Sequence, residues 1–219
     1  MTDSMLGWHF LAEDRRLLYG SKEIVEAGQT YTASGPLVMC QNGMHACKRP
    51  IDALPYAPGP IVCRVRLRGE MIHDTIKSVA RSRQVLWMAD ATGLLHEFAF
   101  SIATHALLSA EAQHILVCPE SWQALTVKTR WLKGQATDKE LDAARAAARA
   151  AAGAATRAAA RDAAGAAAGD AAWDAAWVAA RAATRAAARA AAGAAAWAAA
   201  WAALNLQLET MLDSLGGAS

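Results

Sequence analysis

Cys40, His45, Cys47 and Cys63 bring thiols and an imidazole together in the first third of the chain. Thiolates and imidazole nitrogens are the natural ligands of zinc. The spacing is Cys-x4-His-x-Cys with one distant Cys, which is no standard zinc knuckle, so no metal is assigned and the thiols are read as buried and structural. Arg64, Arg66 and Arg68 alternate with Cys63, Val65 and Leu67. Two readings of the arginines stay open: a solvated strand face, or the lining of an anion pocket. His73, His96, His105 and His114 are scattered and read as core or surface residues. The chain has no Gly-rich phosphate loop and no Ser–His–Asp arrangement that sequence can support.

Positioning these groups is the work of a sheet-based head. Trp8 to Leu11 and Leu17 to Tyr19 flank a polar turn and read as a strand hairpin. Thr30 to Thr32 is β-prone, Leu37 to Cys40 has the composition of a buried strand, and Gln41-Asn42-Gly43 is a turn. Pro50 to Tyr56 suits a short helix that Pro55 limits. Ile61 to Gly69 is the best strand in the chain, with period-two alternation from Cys63 on. Val85 to Met88 is another strand. Asp90 is a candidate N-cap for a helix to about Ala110, and Pro119 opens a helix that Gly134 closes. The expected core is Trp8, Phe10, Val38, Val62, Val65, Leu67, Leu95 and Phe98. Thr137 and Glu140 form a capping box that fixes where the next helix starts.

From Arg145 onward every fourth residue departs from alanine, in a series of Arg, Gly and Trp that ends at Trp197 and Trp201. Alanine favours the helix because it loses no side-chain entropy. A period of four turns by roughly 40° per step, so the marked residues spiral instead of forming one face. The repeat is either a tolerated expansion or a selected surface. The stretch predicts a long helix from Asp138 to about Leu212, or a helical hairpin broken between Gly165 and Asp170. Trp173, Trp177, Trp197 and Trp201 point in several directions and are the candidate interaction residues, for the head or for a second copy. The expected fold is therefore α+β, with an α+β head over 1–136 and an Ala-rich helical tail over 137–219.

The chain has 219 residues and a net charge of +2, and 54% of its residues are hydrophobic, a figure that alanine inflates. From Asp138 on, eight basic residues face eight acidic ones. Neither half has the basic surplus that phosphate binding requires, so no nucleic-acid partner is expected. The longest charge-free run of the tail, 190–208, is mostly alanine and lacks the Leu/Ile/Val density of a membrane span. Four cysteines without a signal peptide suggest reduced thiols in a cytoplasm.

Two resemblances are carried by particular residues. Cys40-Gln41-Asn42-Gly43-Met44-His45-Ala46-Cys47 and Pro50-Ile51-Asp52-Ala53-Leu54-Pro55-Tyr56 are the first set. Arg68-Gly69-Glu70, Lys77-Ser78-Val79-Ala80 and Leu94 to Ala99 extend it. With these residues the stretch from Trp8 to Leu132 resembles an uncharacterised domain family of phages and bacteria, whose members often carry similar tails. Trp8-His9, then Gly43-x-His45, Ala53, Tyr56 and a strand at Ile61, resemble the ADP-ribosyltransferase fold in its poly-ADP-ribose polymerase branch. That resemblance implies that His9 holds the NAD ribose, with His45 and Tyr56 against the nicotinamide. Glu70 and Glu97 are the candidates for its catalytic acid. His45 stands where the branch has Tyr, Ala53 where it has Ser, and Phe10 where it has Gly.

Two functions follow as expectations. One is a non-enzymatic interaction protein without a cofactor, a phage-encoded inhibitor that binds a host protein and self-associates through its tail. The other is an enzyme that uses NAD to modify a protein or nucleotide.

Overall fold

The computed structural model describes residues 4–17, 23–114, 117–154 and 194–217. They form an antiparallel sheet and five α-helices, in two compact units. The first unit is Met1–Ala91 with Asn205–Ser219, and the second is Thr92–Leu204. The sequence placed its division at 136/137. The units divide elsewhere, because the last turns of the chain carry apolar residues that pack with the sheet.

The strands are β1 (Ser4–Leu11), β2 (Thr30–Thr32), β3 (Met44–Cys47), β4 (Ile61–His73) and β5 (Lys77–Asp90). β4 and β5 form a long antiparallel hairpin. The other edge of β5 takes β3 along Lys77–Ala80 and β2 along Ser82–Gln84. β1 pairs with the free edge of β4 over its whole length and meets β3 at Trp8↔Cys47, so the ladder closes on itself. Closure removes the edges that an open sheet would leave unpaired. The hairpin is bulged between Arg68 and Met71, where Gly69 has a φ of 83°. Glycine reaches that left-handed conformation without the Cβ clash that other residues meet.

Side-chain alternation assigns the two faces. Leu11, Cys63, Val65, Leu67, Ala80 and Val85 pack inside the closed sheet, with Val25, Tyr31 and Ala46. Trp8, Phe10 and Val62 lie on the outer face and are buried too. There they are joined by α1 (Pro50–Ala53), a 3-10 turn (Leu54–Tyr56) and residues 205–216 of α5 (Ala194–Gly216). Asn205 Oδ1 accepts the Ile51 N–H at 3.4 Å, and Trp8 Nε1 donates to Glu209 Oε1 at 3.4 Å. Leu208 and Leu212 have no exposed surface.

In the second unit are α2 (Thr92–Ala112), α3 (Pro119–Leu132) and α4 (Asp138–Ala154). Leu95 and Phe98 of α2 are fully buried. Pro119 occupies the first turn of α3, and Gly134 ends it with a φ of 68°. The capping box is present at α4: Glu140 Oε2 accepts the Thr137 N–H at 2.8 Å, and the Glu140 N–H donates to Thr137 Oγ1 at 3.2 Å. Ala124 of α3 packs against Ala144 and Ala148 of α4, the close approach that small side chains permit.

Two expectations are corrected. Leu37–Cys40 is a turn and not a strand: Val38 bridges Asn42 and is 40% exposed, so it leaves the core list. β5 begins eight residues before Val85, because cross-strand pairing overrides the polar composition of its first half. Helix is described at 138–154 and 194–216. Trp173, Trp177 and the expected break at 165–170 lie outside the described residues.

The last turns of α5 set the first prediction. Leu208→Ala should lower the stability of the sheet unit by about 2–4 kcal/mol, as burial of a fully enclosed leucine implies. Ending the chain at residue 204 should unfold that unit at a far lower urea concentration. An unchanged midpoint in both variants would contradict the packing of α5.

Candidate functional site

The turn at 38–43 delivers a thiol to the surface. Cys40 adopts a φ of 66°, rare for a residue with a Cβ, and is the exposed member of the four free cysteines. Gly43 closes the turn with a φ of 130°, and a Cβ there would collide with Val79 Cγ2. The Asn42 amide donates to the carbonyls of Ser34 and Pro36, each at 2.7 Å. The turn is thus fixed by its own side chains.

Four residues converge at this turn. His45, on β3, accepts the Cys40 N–H on Nε2 at 3.0 Å. Lys77 starts β5 opposite Cys47, and its Nζ lies 2.7 Å from Cys40 Sγ. The same ammonium sits 4.5 Å above the Tyr56 ring, a cation–π contact. Tyr56 is 49% exposed. The Lys77 pKa is raised, first by its hydrogen bond to Cys40 and further by Tyr56. Below them, Arg49 forms a bidentate pair with buried Asp52 at 2.7 and 3.0 Å. Burial pushes the Cys47 thiol up to about 12, with Asp52 adding to it, and burial alone pushes Cys63 to about 12. Neither is a thiolate at neutral pH, which leaves Cys40 as the accessible sulfur.

A second polar group lies inside the sheet. Arg83, opposite Leu67 on one side and Tyr31 on the other, is 3% exposed. Its Nη1 donates to the His45 carbonyl at 2.9 Å, while its Nε has no hydrogen-bond partner. Desolvation lowers its pKa to about 10, so it stays cationic. His9 pairs with Cys63 in β1, and its pKa is held well down by burial, then by Arg83 and His45. His45 is lowered too, first by burial, with Lys77 and Arg83 contributing. Both imidazoles are therefore neutral at pH 7.

The sequence candidates distribute as follows. His45 and Tyr56 flank Lys77, and His9 lies within electrostatic reach of His45. Glu70 is exposed and bound to Arg81 at 2.7 Å. Glu97 is exposed on α2, in the second unit. The guanidinium of Arg64 sits 4.5 Å from the Trp8 ring, Arg66 is partly buried and Arg68 exposed. Trp201 is partly buried on α5, which also carries Trp197. The reading of all the thiols as buried fails at Cys40. Lys77 entered the sequence reading only within the Lys77-Ser78-Val79-Ala80 resemblance and with no role, and Arg83 was missed, since a charged residue in a polar run carries no local signal. Among the described residues no group of three or more His, Cys, Asp or Glu could hold a metal, and no helix is long and apolar enough to cross a membrane.

The second unit holds a further buried basic cluster. Lys128 Nζ lies 2.8 Å from His96 Nδ1 and 4.3 Å from the Trp131 ring. Burial, then Lys128 and Arg145, lowers the His96 pKa to about 3.

A domain of unknown function, DUF7666, spans residues 12–97. That range takes in the turn, β3, Tyr56 and Lys77, and so the whole of the surface cluster. No curated protein and no solved structure matches the chain.

The three lowered histidines give a second prediction. An unfolded histidine titrates near 6.5, so as pH falls the unfolded chain takes up protons before the folded one. Stability is then full above about pH 6.5 and declines below it. The urea midpoint should fall steadily between pH 7 and pH 5, and His9→Gln should flatten part of that slope. A midpoint that stays constant over the range would show that these imidazoles are not desolvated.

Proposed function

We propose that this chain is a non-enzymatic interaction protein whose sheet unit binds a protein partner through the face of Tyr56, Lys77 and the Cys40 turn. The observation that supports this is the half-exposed Tyr56 ring with an ordered ammonium above it. Tyrosine offers a large amphipathic contact with only two torsions to fix, and such anchors dominate interface energetics. The site lies on a closed sheet and a glycine-fixed turn, so little ordering is left for binding to pay. In line with the resemblance to a phage and bacterial family, the partner is a host protein and the effect inhibition of a host system. The Ala-rich stretch, with Trp197 and Trp201, adds self-association or further target contact. The test is paired immobilisation of the full chain and Tyr56→Ala against host extract. A protein retained at least tenfold better by the native chain supports the reading, and equal retention of every protein removes this face from binding.

A second reading, an ADP-ribosyltransferase-like enzyme using NAD, draws support from the placement of His9 beside His45. Incubation with NAD and assay of free nicotinamide separates the two. The interaction reading expects no release above that of His9→Ala, whereas release that the variant loses would establish the enzyme.

A further inference from the structure

The contact between Lys77 and Cys40 is short for its atoms. At 2.7 Å the Nζ–Sγ separation matches the short end of N–H···O bonds, although sulfur is the larger acceptor. A single oxygen bonded to both atoms would hold nitrogen and sulfur about this far apart. Three further features prepare the pair. Cys40 keeps a left-handed backbone that glycine would adopt without strain, and this conformation aims its thiol at Lys77. The His45 ring fixes the Cys40 amide, and the Tyr56 ring lies against the lysine head. Cys40 is also open to solvent, so a small oxidant reaches it directly.

We propose that Cys40 and Lys77 are a modification site that peroxide converts to a covalent sulfur–oxygen–nitrogen bridge. The first peroxide gives one oxygen to the thiolate: its O–O bond breaks, an S–O bond forms, water leaves, and sulfur is oxidised by two electrons to a sulfenic acid. In the second step the sulfenic O–H and one amine N–H are lost and an N–O bond forms. The second peroxide accepts those two electrons and becomes two waters. Thiol, amine and two peroxides thus yield the bridge and three waters. Bridging removes the ammonium from above Tyr56, so oxidation changes the charge of this face. The second step needs a neutral amine, and the raised pKa of Lys77 makes the yield rise with pH. The proposal does not rest on partner binding, because mass alone reads the link.

The experiment treats the full chain with hydrogen peroxide, digests it with trypsin without reductant, and looks for peptides 23–48 and 69–81 joined to one another. The expected pair carries a gain of about 14 Da, one oxygen added and two hydrogens lost. Fragment ions place the link at Cys40 and Lys77, dithiothreitol separates the peptides, and yield at pH 9 exceeds that at pH 7. The link should be absent in Cys40→Ser and in Lys77→Arg, and in Lys77→Arg the Cys40 thiol should advance to sulfinic acid. Sulfinic acid at Cys40 with no joined peptides in the native chain would overturn the proposal and leave the contact an ordinary hydrogen bond. An unreacted Cys40 would overturn it equally.

Discussion

Strand β5 is hydrogen-bonded along both edges, to β4 on one side and to β3 and then β2 on the other. With β1 returning from β4 to β3, no strand of the ring is free to shift register without breaking two ladders. Register decides which side chains face inward, because a slip of one residue exchanges the faces. The closed ring therefore holds Cys63, Val65, Leu67 and Arg83 inside. A guanidinium in such a space is tolerated only where polar groups meet it, and the His45 carbonyl supplies one contact. Its charge persists and adds to burial, the larger cause, in keeping the neighbouring imidazoles of His9 and His45 neutral. The electrostatics of the site thus follow from sheet closure.

The same register builds the outer site. Lys77 stands opposite Cys47, and this places its head beside the turn that precedes β3. Gly43 lets that turn pass over Val79, where any side chain would collide. Tyr56 arrives from the 3-10 turn, whose preceding helix is tied down by the Arg49–Asp52 pair. Three separate chain segments meet at one ammonium. Such a meeting is a property of pairing and not of local sequence.

What the sequence disclosed follows that distinction. Alternation from Cys63 to Arg68 revealed β4, and the caps at Pro119, Gly134 and Thr137 placed α3 and α4, because each signal is local. The first half of β5 stayed hidden: Lys77 to Gln84 reads as polar, and only its two neighbours make it a strand. Leu37–Cys40 shows the opposite failure. An apolar run resembled a strand, but the turn chemistry of Asn42 and Gly43 governed it. Within the candidate site, the sequence singled out His45 and Tyr56 through a resemblance. Lys77 and Arg83 matter through neighbours twenty-one to thirty-eight residues away, where spacing rules are silent.

The C-terminal turns bear on how the Ala-rich stretch can exist at all. A repeat of four residues gives a helix no continuous apolar face, so its own sequence specifies few tertiary contacts. Residues 205–216 differ in side-chain type and not in spacing: Asn205 and Glu209 continue the four-residue phase of Trp197 and Trp201, and with Leu208 and Leu212 each has a defined place in the sheet unit. The specific end is therefore held by its own side chains and not by the length of the alanine stretch before it. A repeat that specifies few contacts is thereby followed by C-terminal turns that complete the core of the first unit.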